Sequence, residues 1–227
     1  MLAAITAALL TTAMRIERYV SEAEEGGILA RMASGLKHAR ERNPTLPALI
    51  SVAVLSALGA SHTVLIPAFA ANVLGDKKYF AWLAATTGCG AMVGALRAGR
   101  VGREPSMRRV GVGLAAYGAF LAAFAVSGNP TLALLAQFCV GYFYFLVMTS
   151  LQTLIQQIVD ESKRGRVMSL FQVCWAGLIP FGSLGMGYMA GHVGVVATIL
   201  AGSGVCVAYG LVITALARRW PIPSRSS

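Results

Sequence analysis

The stretch LALLAQFCVGYFYFLVMTSLQTLIQQI, Leu132 to Ile158, contains no Asp, Glu, Lys or Arg. About 20 consecutive apolar residues suffice for a helix to cross the hydrocarbon core of a bilayer, and this stretch exceeds that length. Backbone amides in lipid must be paired within their own element, which leaves helices and closed barrels. Barrel strands alternate apolar and polar residues over about ten positions. Leu132–Ile158 does not alternate and is too long for such a strand, so it predicts a membrane-spanning helix.

Five more stretches read the same way: Leu46–Leu74, Tyr79–Leu96, Val110–Ser127, Val167–Ala190 and Val193–Ala217. Their connectors are short: Gly75–Lys78, Arg97–Arg109, Gly128–Thr131, Val159–Arg166 and Gly191-His192. Short turns of this kind predict that consecutive helices pack as antiparallel neighbours. Met1–Met14 (MLAAITAALLTTAM) is apolar but short, and its first charge, Arg15, follows the apolar run, whereas a signal peptide carries its charge in front. It is expected to be the end of a truncated span. In Arg15–Asn43, Ile28, Met32 and Leu36 recur every four residues among Arg31, Lys37, Arg40, Glu41 and Arg42, the pattern of an amphipathic helix on a membrane surface.

The expected architecture is an all-α membrane protein of six transmembrane helices. The end of a truncated helix occupies residues 1–14, a cytoplasmic linker residues 15–45, the six-helix bundle residues 46–217 and a cytoplasmic tail residues 218–227. Only 12% of the 227 residues are charged, about half the usual share of a soluble domain, while the net charge is +10. In a soluble protein that charge would point to nucleic acid. Here the loops explain it. The segments at Arg15–Asn43, Arg97–Arg109, Val159–Arg166 and after Ala217 fall on one side of the membrane and hold 17 of the 19 Lys and Arg residues. Lys77 and Lys78 fall on the other. The positive-inside rule places the basic side and the C-terminus in the cytoplasm. The expected partner is thus the lipid bilayer and not nucleic acid; the Ala- and Gly-rich composition points to a bacterial source, and so to an inner membrane.

No catalytic constellation is visible. His38, His62 and His192 are far apart, H-E-x-x-H is absent, and Cys89, Cys139, Cys174 and Cys206 each sit in a different apolar stretch. Nothing calls for a metal or a cofactor, and the four thiols read as small packing residues. Ser183 and Ser203 sit among glycines, as a strained nucleophile does, but close helix packing through small residues explains them as well. Gly90/Gly94 and Gly187/Gly191 are G-x-x-x-G pairs of the kind that lets a neighbouring helix approach. Pro67 and Pro180 are expected to bend their helices.

All nine acidic residues lie in loops. A charge at mid-membrane costs roughly 2.5–3.5 kcal/mol on insertion scales, so its absence leaves no ion-coupling carboxylate in these spans. Polar side chains instead concentrate in two of them: Ser56, Ser61, His62 and Thr63 in the first full span, and Gln137, Tyr142, Tyr144, Thr149, Gln152, Thr153 and Gln156 in the fourth. Facing lipid they would be unsatisfied, so they face the bundle or a wet cavity. His62, Thr63, Tyr144, Thr149, Gln152 and Gln156 are candidates for a substrate path; interhelical hydrogen bonding is the alternative use.

Three stretches together resemble a known family. Arg164-Gly165-Arg166-Val167-Met168-Ser169-Leu170, after Gln156-Gln157-Ile158-Val159-Asp160-Glu161, resembles the cytoplasmic turn before the eleventh span in the enterobactin-exporter-like branch of the major facilitator superfamily. Gly94–Arg103 resembles a degenerate form of that superfamily's cytoplasmic signature, with Gly99 where the family has an acid and Ala95 where it has the leading glycine. The segment before Asn43-Pro44 resembles the linker between the two six-helix halves. The resemblance implies the C-terminal half of a transporter that works by alternating access, exporting small organic molecules such as siderophores or drugs. It further implies a small-molecule substrate, an N-terminal six-helix partner half and a path lined by the first, second, fourth and fifth full spans; the lack of acid in these spans then leaves any proton coupling to the absent half. By the same resemblance Arg100, Arg103, Asp160, Arg164, Gly165 and Arg166 are candidates for a cytoplasmic gate; a solvated loop that merely sets topology is the other reading of the turn. The competing function is a non-transporting membrane scaffold or an inactive truncated gene product. An enzyme is not expected.

Overall fold

The structure is a computed structural model that describes residues 36–37, 39–40, 44–101 and 106–220. The segment at Met1–Met14, most of the linker, and the tail from residue 221 lie outside the described residues. Leu36, Lys37, Ala39 and Arg40 are helical, with Ala39 buried and the other three exposed. Six helices are long and apolar enough to cross a membrane: Thr45–Asn72, Tyr79–Gly99, Met107–Val126, Pro130–Ile158, Arg164–Val193 and Val195–Arg219, here the first to sixth spans. The described residues contain no strand.

The helices overrun the apolar stretches at their charged ends. The helix of the second span continues to Val101 and the third begins at Met107, so Arg97, Arg108 and Arg109 are helical. Long cationic side chains reach the membrane surface from such positions by extending along the helix. The connector expected at Gly191-His192 lies further on. The helix runs to Val193, and Gly194 alone separates the fifth and sixth spans. Its φ of 89° with ψ of 159° belongs to a region essentially restricted to glycine.

Consecutive spans pack as neighbours only in part: the third lies on the fourth and the fifth on the sixth, but the most extensive contacts join spans distant in sequence. The second span packs most closely on the fourth, the third on the sixth, and the first on the fifth through its middle. Glycine explains the first of these. A Cβ at Gly90 would run into the Phe138 carbonyl, one at Gly94 into the Tyr142 carbonyl, and one at Gly141 into the Thr87 carbonyl. The two backbones touch, which only residues without side chains permit. Gly182 meets the Ala57 carbonyl and the Ser61 hydroxyl in the same way, joining the fifth span to the first. Gly111, Gly118 and Gly210 do so between the third and sixth. The Ser203 carbonyl lies at Gly118, and the Ser203 hydroxyl donates to the Leu200 carbonyl at 2.8 Å, which makes it part of this packing. Gly187 and Gly191 have no atom within reach of a Cβ, so that pair meets no helix of the described chain.

The packing pattern repeats. The first span meets the fifth and sixth, as the fourth meets the second and third, while first with fourth and third with sixth meet across the middle. Exchanging spans one to three for spans four to six preserves these pairs. Three is odd, so the second unit enters the bundle from the opposite side to the first, the arrangement of inverted repeats. The match breaks where the fifth and sixth spans pack on one another and the second and third do not.

Two spans are not uniform α-helix. The first changes to a wide π turn at Leu55–Gly59, tightens to a 3-10 segment at Ala60–Leu65, and resumes at Ile66. The fifth has a π turn at Val173–Gly177. Pro67 and Pro180 each follow such a segment, as the second and third residues of the α-helices that begin at Ile66 and Leu178. A proline lacks the amide proton and crowds the carbonyl four residues back. In both spans the regular ladder has loosened before the ring arrives.

Candidate functional site

His62 lies in the 3-10 segment and is 2% exposed. Its Nδ1 is 2.6 Å from the Gly59 carbonyl. A carbonyl only accepts, so Nδ1 carries the proton. Nε2 then accepts from the amide nitrogen of Gln137 in the fourth span, at 3.2 Å. The Tyr117 hydroxyl of the third span is 3.5 Å from Nδ1, and the Phe124 ring stands edge-on at 6.4 Å. One imidazole thereby ties three spans together, and it faces the packed interior.

The network continues toward the fifth span. The ring of Tyr144 is 6.2 Å from that of Tyr117, and its hydroxyl accepts from Trp175 Nε1 at 2.8 Å. Trp175 belongs to the π turn of the fifth span. The Ser61 hydroxyl, 3.0 Å from the Ser56 carbonyl and 3.3 Å from the Ile179 carbonyl, joins the irregular segment of the first span to the start of the α-helix that follows the π turn of the fifth. Gln137 Oε1 and Ser56 Oγ are buried without a hydrogen-bond partner. Buried orphan acceptors are uncommon and call for an explanation; both lie at positions where spans of the two repeats meet.

The other path candidates are placed differently. Thr63 is exposed, and its hydroxyl donates to the Ala60 carbonyl at 2.9 Å. Thr149, Gln152 and Gln156 fall with Phe145 at helical spacing on one stripe of the fourth span. Phe145, Gln152 and Gln156 are exposed and Thr149 half-buried. Nearer the opposite end, Phe138, Gly141 and Tyr142 continue this stripe and lie under the second span. The stripe is therefore covered where the Gly90–Gly94 contact closes on it, and it opens toward the basic end. His62 and Tyr144 build the bundle, whereas Thr149, Gln152 and Gln156 line an open face.

Asp160 lies in the turn between the fourth and fifth spans, whereas Arg164, Gly165 and Arg166, expected in that connector, are the first helical residues of the fifth. Arg164 Nη1 is 3.5 Å from Glu161 Oε1, an exposed pair one helical turn apart. A Cβ at Gly165 would meet nothing, so this conformation does not itself require a glycine there. Arg100 is in the last turn of the second-span helix with its side chain outside the described residues, and Arg103 lies outside them altogether. At the other end of the bundle, Asp76 takes the Lys78 amide proton at 2.9 Å and pairs with Lys78 Nζ at 2.9 Å. The Lys78 amide, and secondarily its ammonium, hold the Asp76 carboxyl below its ordinary range; the carboxylate in turn raises the ammonium.

Sequence reasoning did not single out Tyr117 and Trp175. Each carries a polar hydrogen in an apolar span, which must find a partner. No group of three His, Cys, Asp or Glu residues able to hold a metal occurs among the described residues.

A family model, the Major Facilitator Superfamily, matches residues 1–183. The chain belongs to the major facilitator superfamily. No curated protein and no solved structure matches it. Members of this superfamily are transporters rather than enzymes, and the six apolar helices with this match make the chain an integral membrane protein. A major facilitator bundle consists of six-helix halves, each built from two inverted three-helix repeats, which is the pattern of span contacts described above.

Proposed function

We propose that the chain is one half of a secondary active exporter of small organic molecules, working by alternating access in a bacterial inner membrane with its basic end in the cytoplasm. The observation that carries the reading is the stripe of Thr149, Gln152 and Gln156. It offers hydroxyl and amide groups on an open face of an otherwise apolar helix, where a scaffold has no use for them. Thr63 supplies a further exposed hydroxyl from the first span.

The partner in this reading is an N-terminal six-helix half. The second and fifth spans support it, with 17% of each buried against 39–56% in the other four. Trp82, Val93 and Leu96 fall on one stripe of the second span, and Phe181, Leu184 and Tyr188 on one stripe of the fifth, all exposed. A partner bundle seated on these two spans would close a path over the fourth span's polar stripe. The likeness of Arg164–Leu170 to the enterobactin-exporter-like turn supports export. With no acid inside the described spans, proton coupling falls to the partner half. Asp160, Arg164, Gly165 and Arg166, with Arg100 and Arg103, then serve as the cytoplasmic gate, whose ion pairs form in one state and break in the other.

The test is reconstitution of the chain in vesicles with and without an N-terminal six-span partner, followed by gradient-driven efflux of a panel of organic substrates. Efflux that requires both halves is expected. No efflux in either preparation, with both halves inserted and folded, would refute the reading.

A further inference from the structure

Gln172 is an exposed amide within the fifth span, the last residue of the helix Arg164–Gln172 and the one before the π turn at Val173–Gly177. Val167, Leu170 and Phe171 of the same helix are buried, so Gln172 is turned off the packed face. Facing lipid, its amide would be unsatisfied. The hydrogen bond from Trp175 Nε1 to the Tyr144 hydroxyl fixes which faces of the fifth and fourth spans meet. An α-helix turns by about 100° per residue. Counted along the chain from Tyr144, the residues Phe145, Thr149, Gln152 and Gln156 lie about 80–140° further round. Counted in the same sense from Trp175, Gln172 lies about 60° round in an α-helix, and further round in the wider π turn. A short turn joins the two spans, which therefore run antiparallel. Equal senses along two antiparallel chains are opposite senses in space, so both rotations lead to the same side of the helix pair. The depths agree as well. At a rise of about 1.5 Å per residue, Gln172 lies about 4.5 Å and Thr149 about 7.5 Å from the Trp175–Tyr144 bond, both toward the basic end.

We propose that Gln172 completes a polar clamp with Thr149 and Gln152, and that the clamp binds an uncharged hydrogen-bonding group of the substrate, a carboxamide or a hydroxyl, with an adjoining ring on Phe145. The proposal rests on the transport reading above and adds to it a residue of the fifth span and the chemistry of the group recognised. A side-chain amide offers both donors and an acceptor, so two amides and a hydroxyl suit a group that also does both. No Asp, Glu, Lys or Arg occurs from Leu132 to Ile158 or from Val167 to Val193. An ion drawn out of water needs a counter-charge, and neither wall of the clamp holds one. Phe145 is exposed beside Thr149 and Gln152 and offers an apolar surface to the rest of the molecule.

Two measurements on the full chain in mild detergent test this. The first is geometric. Thr149→Cys with Gln172→Cys should be joined by a short bis-maleimide. Thr149→Cys with Val173→Cys should not, because Val173, also exposed, is turned about 160° from Trp175 and so away from the fourth span. Mass spectrometry of the digested chain separates these links from any made by the native cysteines. Absence of the Gln172 link, or an equal link at Val173, would overturn the proposal and leave the transport reading untouched. The second is chemical. Benzamide, benzoate and benzylammonium, close in size and different in charge, are titrated in, and binding is followed by saturation-transfer NMR. Benzamide should bind most tightly, and Gln172→Leu should weaken it roughly fivefold, the loss of about one hydrogen bond. Ser169→Ala, which removes a hydroxyl already committed to the Arg166 carbonyl at 2.7 Å, should leave binding as it was. Benzamide bound no more tightly than the two ions, or indifferent to Gln172→Leu, would overturn the proposal. Failure of efflux from the two reconstituted halves would instead overturn the transport reading, with the cross-link unaffected.

Discussion

The side-chain amide of Gln137 donates to Nε2 of His62 across 3.2 Å, joining the fourth and first spans. The other ring nitrogen is committed to the Gly59 carbonyl. The imidazole thus has one donor and one acceptor satisfied inside the bundle, and neither nitrogen faces the open stripe.

Gln137→Leu should destabilise the detergent-solubilised protein by about 1–3 kcal/mol, because it strands a buried acceptor. His62→Phe combined with Gln137→Leu should cost less than the two single changes added together, since replacing both partners removes the unpaired group. A double-mutant cycle on unfolding free energies checks this. In the proposed two-half exporter His62 substitution should weaken gradient-driven efflux without abolishing it; loss of coupling with binding intact would contradict the structural role.

Gly90→Ala and Gly187→Ala should differ sharply although both sit in G-x-x-x-G pairs. The first drives a methyl into the Phe138 carbonyl, and the second meets nothing. Overpacking of this kind costs about 1–3 kcal/mol, whereas Gly187→Ala should be neutral or slightly stabilising in the chain alone. Melting temperatures of the two variants decide it.

Gly194→Ala should cost about 1–3 kcal/mol with no steric contact involved, because the residue is held at a positive φ that an L side chain rarely adopts. Space is open around it, so a larger residue there should cost no more than alanine does. A size-dependent series measured by chemical denaturation would contradict this.

Gln152→Ala and Gln156→Ala should leave stability within about 0.5 kcal/mol, as exposed positions do. Each should raise the KM for transport by roughly fivefold, the loss of about one hydrogen bond. Cysteines placed at the two positions should react with a water-soluble maleimide, and substrate should protect them.

The carboxyl of Asp76 should titrate below a free aspartate, and Lys78→Ala should move it back up. Since its folded-state pKa is depressed, its contribution to stability is present above the unfolded value and is lost as pH falls through the folded one. The pair is exposed and its effect on folding small. Side-chain carbon chemical shifts of Asp76, followed by NMR across the acid range, give the measurement.

The spans were legible because lipid imposes a simple rule, and long uncharged runs such as Leu132–Ile158 have no other use. Their partners were not legible. Gly90 and Gly94 announce that a backbone can approach, but a pair of glycines does not name the helix that comes; the second span packs on the fourth, which is not its neighbour in sequence. The connector placed at Gly191-His192 belongs at Gly194 because composition marks a glycine and not its φ. His62 and Gln137 were visible as polar residues in apolar spans. That His62 turns inward, while Thr63 beside it does not, depends on the local winding at Leu55–Leu65, and no periodicity records that. The stripe of Gln152 and Gln156 follows from regular helix geometry, which is why their common face could be read.

In the first span an underwound turn is followed at once by an overwound one. A π turn advances the chain less per residue than an α-helix does, and a 3-10 turn advances it more. Back to back they offset each other, like a dislocation and its opposite in a crystal. The residues from Leu55 to Leu65 are wound off the register of the α-helix on either side. The Gly59 and Ser56 carbonyls accept the His62 and Ser61 side chains there, so the fault is stitched closed within the helix that contains it.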